Sequence, residues 1–122
     1  MAAWFLLDEN IRGPLWDAIQ AHNARGVDLI DAVRVGDPID LPLRTRDPAI
    51  LIWAEREARV LITNDKKSMP GHLRDHLLLG RHSPGIFVIR SQATIPQLVS
   101  FLATVGHTSG PSAWADLITF IP

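Results

Sequence analysis

The chain has 122 residues, 47% of them hydrophobic and 20% charged, with a formal net charge of −1 and no cysteine. That length suits a single domain over residues 1–122, and the balance is that of a globular rather than a disordered chain. It excludes disulfide scaffolds and cysteine-ligated zinc, and the near-neutral charge argues against a binder that relies on a strong basic footprint.

No apolar stretch approaches the roughly 20 residues that span a bilayer. The start, Met1-Ala2-Ala3-Trp4, lacks the basic segment and apolar core of a signal peptide. A cytoplasmic location and no membrane association are therefore expected.

Residues 4–8 read as a first strand, a continuous apolar run suited to burial on both faces. Gly13-Pro14 leads into a helix, with Pro14 in the first turn, where its missing N–H costs nothing. Leu15, Ala18 and Ile19 recur at helical spacing, and the helix should end near 23–26. Residues 27–33 alternate in part and predict a second strand. Residues 34–46, with Gly36, Pro38 and Pro42, form a loop long enough to suggest function.

Asp47-Pro48 opens another helix, with Asp47 as N-cap and Pro48 at N1. Its apolar side is Ile50, Leu51, Trp53, Ala54 and Ala58. Val60–Thr63 follows as the central strand. Residues 68–82 are predicted mostly helical, with Ser68 as a cap and Leu73, His76, Leu77 and Gly80 on one face. Residues 85–90 form a further apolar strand. Thr94 caps a helix with the core stripe Ile95, Leu98, Val99, Leu102 and Val105. Residues 106–112 are a breaker-rich turn, and 114–121 a last strand. Strands alternating with helices predict an α/β fold: a three-layer α/β/α sandwich around a mostly parallel sheet, with right-handed crossovers. Ligands bind such sheets outside the carboxyl ends of the strands, where strand order reverses.

Two apolar runs end in the same way. Trp4-Phe5-Leu6-Leu7 runs into Asp8-Glu9-Asn10, and Val60-Leu61-Ile62-Thr63 into Asn64-Asp65-Lys66-Lys67. Each would deliver a carboxylate to a strand exit. Asp8, Glu9, Asp47 and Asp65 are thus candidate oxygen ligands for a hard divalent cation, Mg²⁺ or Mn²⁺, which could activate water against a phosphodiester. Each acid also has a simpler explanation. Asp47 is fully accounted for as an N-cap, and Asp8 and Asp65 as solvated residues at strand exits. Glu9 points to the opposite face if the strand geometry persists.

Asn10 and Asn64 could orient the carboxylates or serve as turn residues, and Thr63 could donate to the site or simply pack in its strand. Arg12, Lys66 and Lys67 flank the mouth, where they could contact phosphates or be ordinary surface cations. His72 and His76 share a helix face, but Leu73 stands where a zinc-protease motif needs glutamate. His72 is close enough in sequence to Asp65 to approach the mouth. The tryptophans read as core or interface, and Trp114 and Phe120 could face a second copy in a homodimer. Asp8-Glu9-Asn10 lacks the Asp-x-Asp of haloacid-type phosphatases.

Several segments together resemble the short bacterial PIN-like proteins, relatives of the PIN-domain nucleases. They are Phe5–Asn10, Asp47 with Ile50-Leu51-x-Trp53-Ala54, Arg59–Asp65 and Ser83–Arg90, and the similarity extends to about residue 105. The resemblance implies a PIN-like fold and a metal-dependent ribonuclease. It also implies RNA as a partner and, as in many PIN proteins, a toxin held inactive by an antitoxin-like protein. Asp8 matches the first PIN acid, Asp65 the acid after the third strand, and Asp47 an acidic position at a helix start. PIN nucleases commonly carry a further acid after the next strand, where this chain has Arg90-Ser91-Gln92. The alternative is a PIN-like module that binds RNA or protein without catalysis.

Overall fold

The computed structural model describes residues 3–11, 13–110 and 112–122. The strands are β1 (Trp4–Leu7), β2 (Ala32–Arg34), β3 (Arg59–Thr63), β4 (Ile86–Ile89) and β5 (Ile118–Ile121). The helices are α1 (Pro14–Asn23), α2 (Asp47–Glu57), α3 (Met69–Leu78) and α4 (Ile95–Thr108), with a 3₁₀ turn over Glu9–Ile11. The five strands lie in the order β2-β1-β3-β4-β5, every neighbouring pair parallel. The fold is α/β, with helices on both faces of the sheet.

The strands read as unbroken apolar runs because alternate side chains enter two separate cores. Phe5, Leu7, Val60, Ile62 and Phe87 meet Leu15 and Ile19 of α1 and Leu98 and Leu102 of α4. Leu6, Leu61, Ile86 and Val88 meet Ile50, Leu51 and Trp53 of α2 and Met69 and Leu73 of α3. The sheet is therefore dry on both sides.

Strand order reverses between β1 and β3, the pair that the acidic exits leave. One crossover departs from the expected hand. β3-α3-β4 and β4-α4-β5 step the same way along the sheet, yet α3 and α4 lie on opposite faces, so their hands are opposite. With α2 and α3 on one face, α1 alone would have to cover the other. The apolar stripe of α4 completes that cover.

Other boundaries also shift. The second strand is only Ala32–Arg34, and Val27 and Leu29 are exposed in the preceding loop. That loop is tied by side chains instead: Asn23 pairs with the N–H and C=O of Ile30, and His22 and His107 reach the carbonyls of Asp28 and Leu29. Helix α4 runs through Gly106 to Thr108 rather than stopping at the glycine. A Cβ at Gly106 would stand 3.6 Å from the Phe5 ring, an ordinary contact, so neither the helix nor its packing on β1 depends on the glycine. Thr94 caps α4 as expected, in a reciprocal capping box with Gln97. The last strand begins at Ile118. Trp114 packs edge-on against Phe87 at 5.2 Å, so its ring belongs largely to the core.

The turn into β4 is pinned to the turn into β5. Asp116, at φ +59°, accepts from the Ser83 N–H at 2.7 Å and lies 2.8 Å from His82 Nδ1. Gly85 has φ +129°, and a Cβ there would stand 2.6 Å from the Trp114 carbonyl oxygen. Both backbone strain and a backbone clash oppose any side chain at this position. Gly85→Ala should lower unfolding stability by about 2–4 kcal/mol, read from urea denaturation, and a loss below about 0.5 kcal/mol would contradict this packing.

Candidate active site

Strand register builds the site. Leu7 is level with Ile62 across β1 and β3, so the next residues, Asp8 and Thr63, also face each other. Both follow Leu6 and Leu61 by two and so sit on the α2/α3 side of the sheet. The Asp8 N–H continues the ladder to the Ile62 carbonyl at 2.9 Å. The buried Asp8 carboxylate then accepts from Thr63 Oγ1 at 2.8 Å and from the Glu9 N–H at 2.7 Å. Thr63 Oγ1 in turn accepts from the Asp65 N–H at 3.1 Å. One hydroxyl thus ties both strand exits together.

The chain leaves β1 by a 3₁₀ turn rather than as continued strand, and this redirects Glu9. Its carboxylate accepts from the Arg44 N–H at 2.5 Å and so anchors the 35–46 loop. Asn10 donates through Nδ2 to Asn64 Oδ1 at 2.8 Å, bridging the two exits beyond the carboxylates.

Asp65 organises the turn into α3. Its Oδ1 accepts from the N–H groups of Lys67 at 3.1 Å and Ser68 at 3.0 Å, and Ser68 Oγ donates to Oδ2. The Ser68 hydroxyl and N–H, with the N–H of Lys67, hold the Asp65 carboxyl below the usual range. Ser68 was expected to cap α3, but its side chain makes no cap bond and serves Asp65 instead.

Asp47 also departs from its expected role. It is the first residue of α2, and Arg46 is the N-cap, so Asp47 does not cap its own helix. Its carboxylate instead lies 3.4 Å from His72 Nε2, at the start of α3. Burial pushes the Asp47 pKa up, and the negative charges of Asp8 and Asp65 push it further, while His72 opposes them. Asp47, Asp8, Asp65 and His72 therefore share one electrostatic neighbourhood at the switch point of the sheet. His76 lies 2.9 Å from Glu55, so the two histidines of α3 reach different carboxylates of α2. Lys66 and Lys67 are exposed beside Asp65. Arg12 lies outside the described residues.

The donor set is hard oxygen with an imidazole at its rim, and the mutual repulsion felt by Asp47 is what a divalent cation relieves. Each engaged Asp8 oxygen keeps a lone pair. In this arrangement, among the described residues, no three carboxylate or imidazole side chains stand close enough together to hold one ion. Among the described residues, no helix is long and apolar enough to cross a membrane. Comparison with family models, with curated proteins and with solved structures finds no match to the chain.

Two outcomes follow. Thr63 is fully buried, so Thr63→Val leaves a buried carboxylate and an N–H each short of a partner. The expected loss is about 1–3 kcal/mol in chemical denaturation. The raised Asp47 pKa means the folded state holds that proton more tightly than the unfolded chain. Its contribution is greatest below the unfolded carboxylate value and falls as pH rises through the folded one. Without added metal, acidification from about pH 7 toward about pH 4 should raise wild-type stability relative to Asp47→Asn. A difference that is flat or grows with pH would refute the upward shift of Asp47 by burial and by its acidic neighbours.

Proposed function

We propose that the chain is a metal-dependent phosphodiesterase acting on RNA, a PIN-like endoribonuclease. The observation that carries this is the meeting of the Asp8 and Asp65 strand exits at Thr63 Oγ1, with Asp47 brought beside them on α2 against His72. Three carboxylates from different elements feel one another's charge at the carboxyl edge, where strand order reverses and where α/β sheets place their ligands. In the arrangement of the described residues no three of these side chains could hold one ion, so Asp8, Asp47 and Asp65 would have to draw together around Mg²⁺ or Mn²⁺. When bound, the ion would acidify an attacking water and offset charge developing on the phosphodiester.

The chain's own residues supply the rest. Thr63 fixes Asp8 and, through the Asp65 N–H, the start of the next turn. The Asn10–Asn64 bridge keeps the two exits in register. Lys66 and Lys67, beside Asp65 in sequence, offer cations to the RNA backbone. An antitoxin-like protein laid over this edge would block it, in keeping with the toxin reading of the PIN-like resemblance.

A second reading is favoured by the internal bonding of the acids. Asp65 is committed to its turn, and Asp8 to Thr63 and the Glu9 N–H. On that reading the acids are structural, and the edge binds RNA or protein without cleaving it.

Incubation of purified protein with single-stranded RNA and Mn²⁺ separates the two. The nuclease reading expects cleavage that falls by roughly 100-fold or more in Asp8→Asn and Asp65→Asn, at least the loss usual for a metal-site partner. Intact RNA, or cleavage that survives both substitutions, would leave the binding module as the function.

A further inference from the structure

The carboxyl edge has a second half, on the far side of β3 from Asp8. There an open depression of about 510 Å³ is lined by Asn64, Lys66, Arg90, Ser91, Gln92 and Phe120, with parts of the β4 exit. Its wall contains two cations and no carboxylate. Among the described residues, neither Lys66 nor Arg90 makes an ion pair, whereas Arg34, Arg56, Arg59, Arg74 and Arg81 all do. Arg25, Arg44, Arg46 and Lys67 also stand without an ion pair among the described residues, but Lys66 and Arg90 are the two that share one concave wall.

The same wall carries an aromatic ring. Val88 is level with Phe120 across β4 and β5, and Phe120 is 49% exposed although it lies in a strand. Its neighbours Ile118 and Ile121 pack into the cores. Cations beside an uncovered ring, with amide and hydroxyl groups between them, match the parts of a nucleotide: phosphate, base and sugar.

We infer that this depression binds one nucleotide of a single-stranded nucleic acid, its phosphate on Arg90 and Lys66 and its base stacked on Phe120. The choice of a polymer rests on the nuclease reading; the site itself rests on its own residues. β4 lies two strand spacings from β1, roughly 10 Å, so the bound nucleotide would sit beside the acids rather than on them. Arg90 stands where PIN nucleases commonly carry an acid. On this inference that position holds substrate phosphate in place of metal.

The test is fluorescence anisotropy with a short 3′-labelled single-stranded RNA in EDTA, so that binding is read without cleavage. The same sequence as single-stranded DNA, as duplex RNA and as the free mononucleotide serve as competitors. Arg90→Ala and Phe120→Ala should each weaken binding by roughly 5- to 10-fold, and Phe120→Trp should restore it. Arg90→Ala should also flatten the salt dependence by about 0.7 in the log–log slope, the value for one single-strand phosphate. Single strands should compete better than the duplex, which has no free base face. Arg74→Ala, on exposed α3, should leave affinity unchanged. The inference is overturned if the wild type does not bind, if Phe120→Ala binds as wild type, or if Arg74→Ala and Arg90→Ala lose equally. RNA bound through Arg90 and Phe120 but never cleaved with Mn²⁺ supports this site and defeats the nuclease. Cleavage that needs Asp8 but has an unchanged kcat/KM in both variants defeats this site alone.

Discussion

The carboxyl edge of the sheet depends on the buried hydrogen bond between Thr63 and Asp8. A carboxylate at the end of a dry strand costs several kcal/mol unless donors surround it. Here the donors are a hydroxyl from the neighbouring strand and the N–H of the next residue. Because Thr63 also accepts from the Asp65 N–H, the same hydroxyl sets how the chain turns away from β3. That turn, closed by the Asp65 carboxylate, delivers α3 and with it His72. Asp47 then arrives from α2, where burial first, and the charges of Asp8 and Asp65 after it, raise its pKa.

The parts of this edge that were legible in the sequence are those fixed by local pattern. Apolar runs ending in Asp8 and Asp65 marked strand exits, and alternating strands and helices marked a parallel sheet covered on both faces. The parts that were not legible depend on distant partners. Val27 and Leu29 look like strand residues, but the loop holding them is fastened by Asn23, His22 and His107, the last of them 78 residues away from its acceptor. Asp47 has the ideal setting for an N-cap, and only the geometry of Arg46 and His72 removes it from that role. Ser68 likewise sits where a cap belongs, yet a nearer carboxylate takes its hydroxyl. Gly106 reads as a breaker, yet the helix runs through it to Thr108 with its face on the Phe5 core.

Glu9 shows how one residue of geometry redirects a function. As continued strand it would have pointed away from Asp8 across the sheet. The 3₁₀ turn instead places its carboxylate on the Arg44 N–H, and the long 35–46 loop is held against the mouth by that contact. The loop is fastened at its other side by Asp40, which accepts from Trp53 Nε1 at 3.0 Å and from Arg56. A segment that composition alone marks as irregular is thus fixed by these carboxylates and by Val35 and Leu41 buried in the core beneath it, and its path ends at Asp47.

Strand order divides the edge into chemically distinct halves. On the β1 side of β3 lie the carboxylates, which repel one another and call for a cation. On the β4 side lie Lys66 and Arg90, which call for an anion, with an open aromatic ring beside them. A phosphodiester polymer with a divalent ion satisfies both demands at once, because it brings anionic charge to one half while the ion neutralises the other. The two halves meet at the exit of β3, where Asn64 bridges to Asn10 and Lys66 sits in the turn closed by Asp65, while Arg90 and Phe120 come from β4 and β5. On the proposed function, Arg90 in place of an acid would add to nucleotide binding rather than only subtract from a metal site. Recognition and hydrolysis would then draw on different residues of one edge, and a chain could lose one while keeping the other.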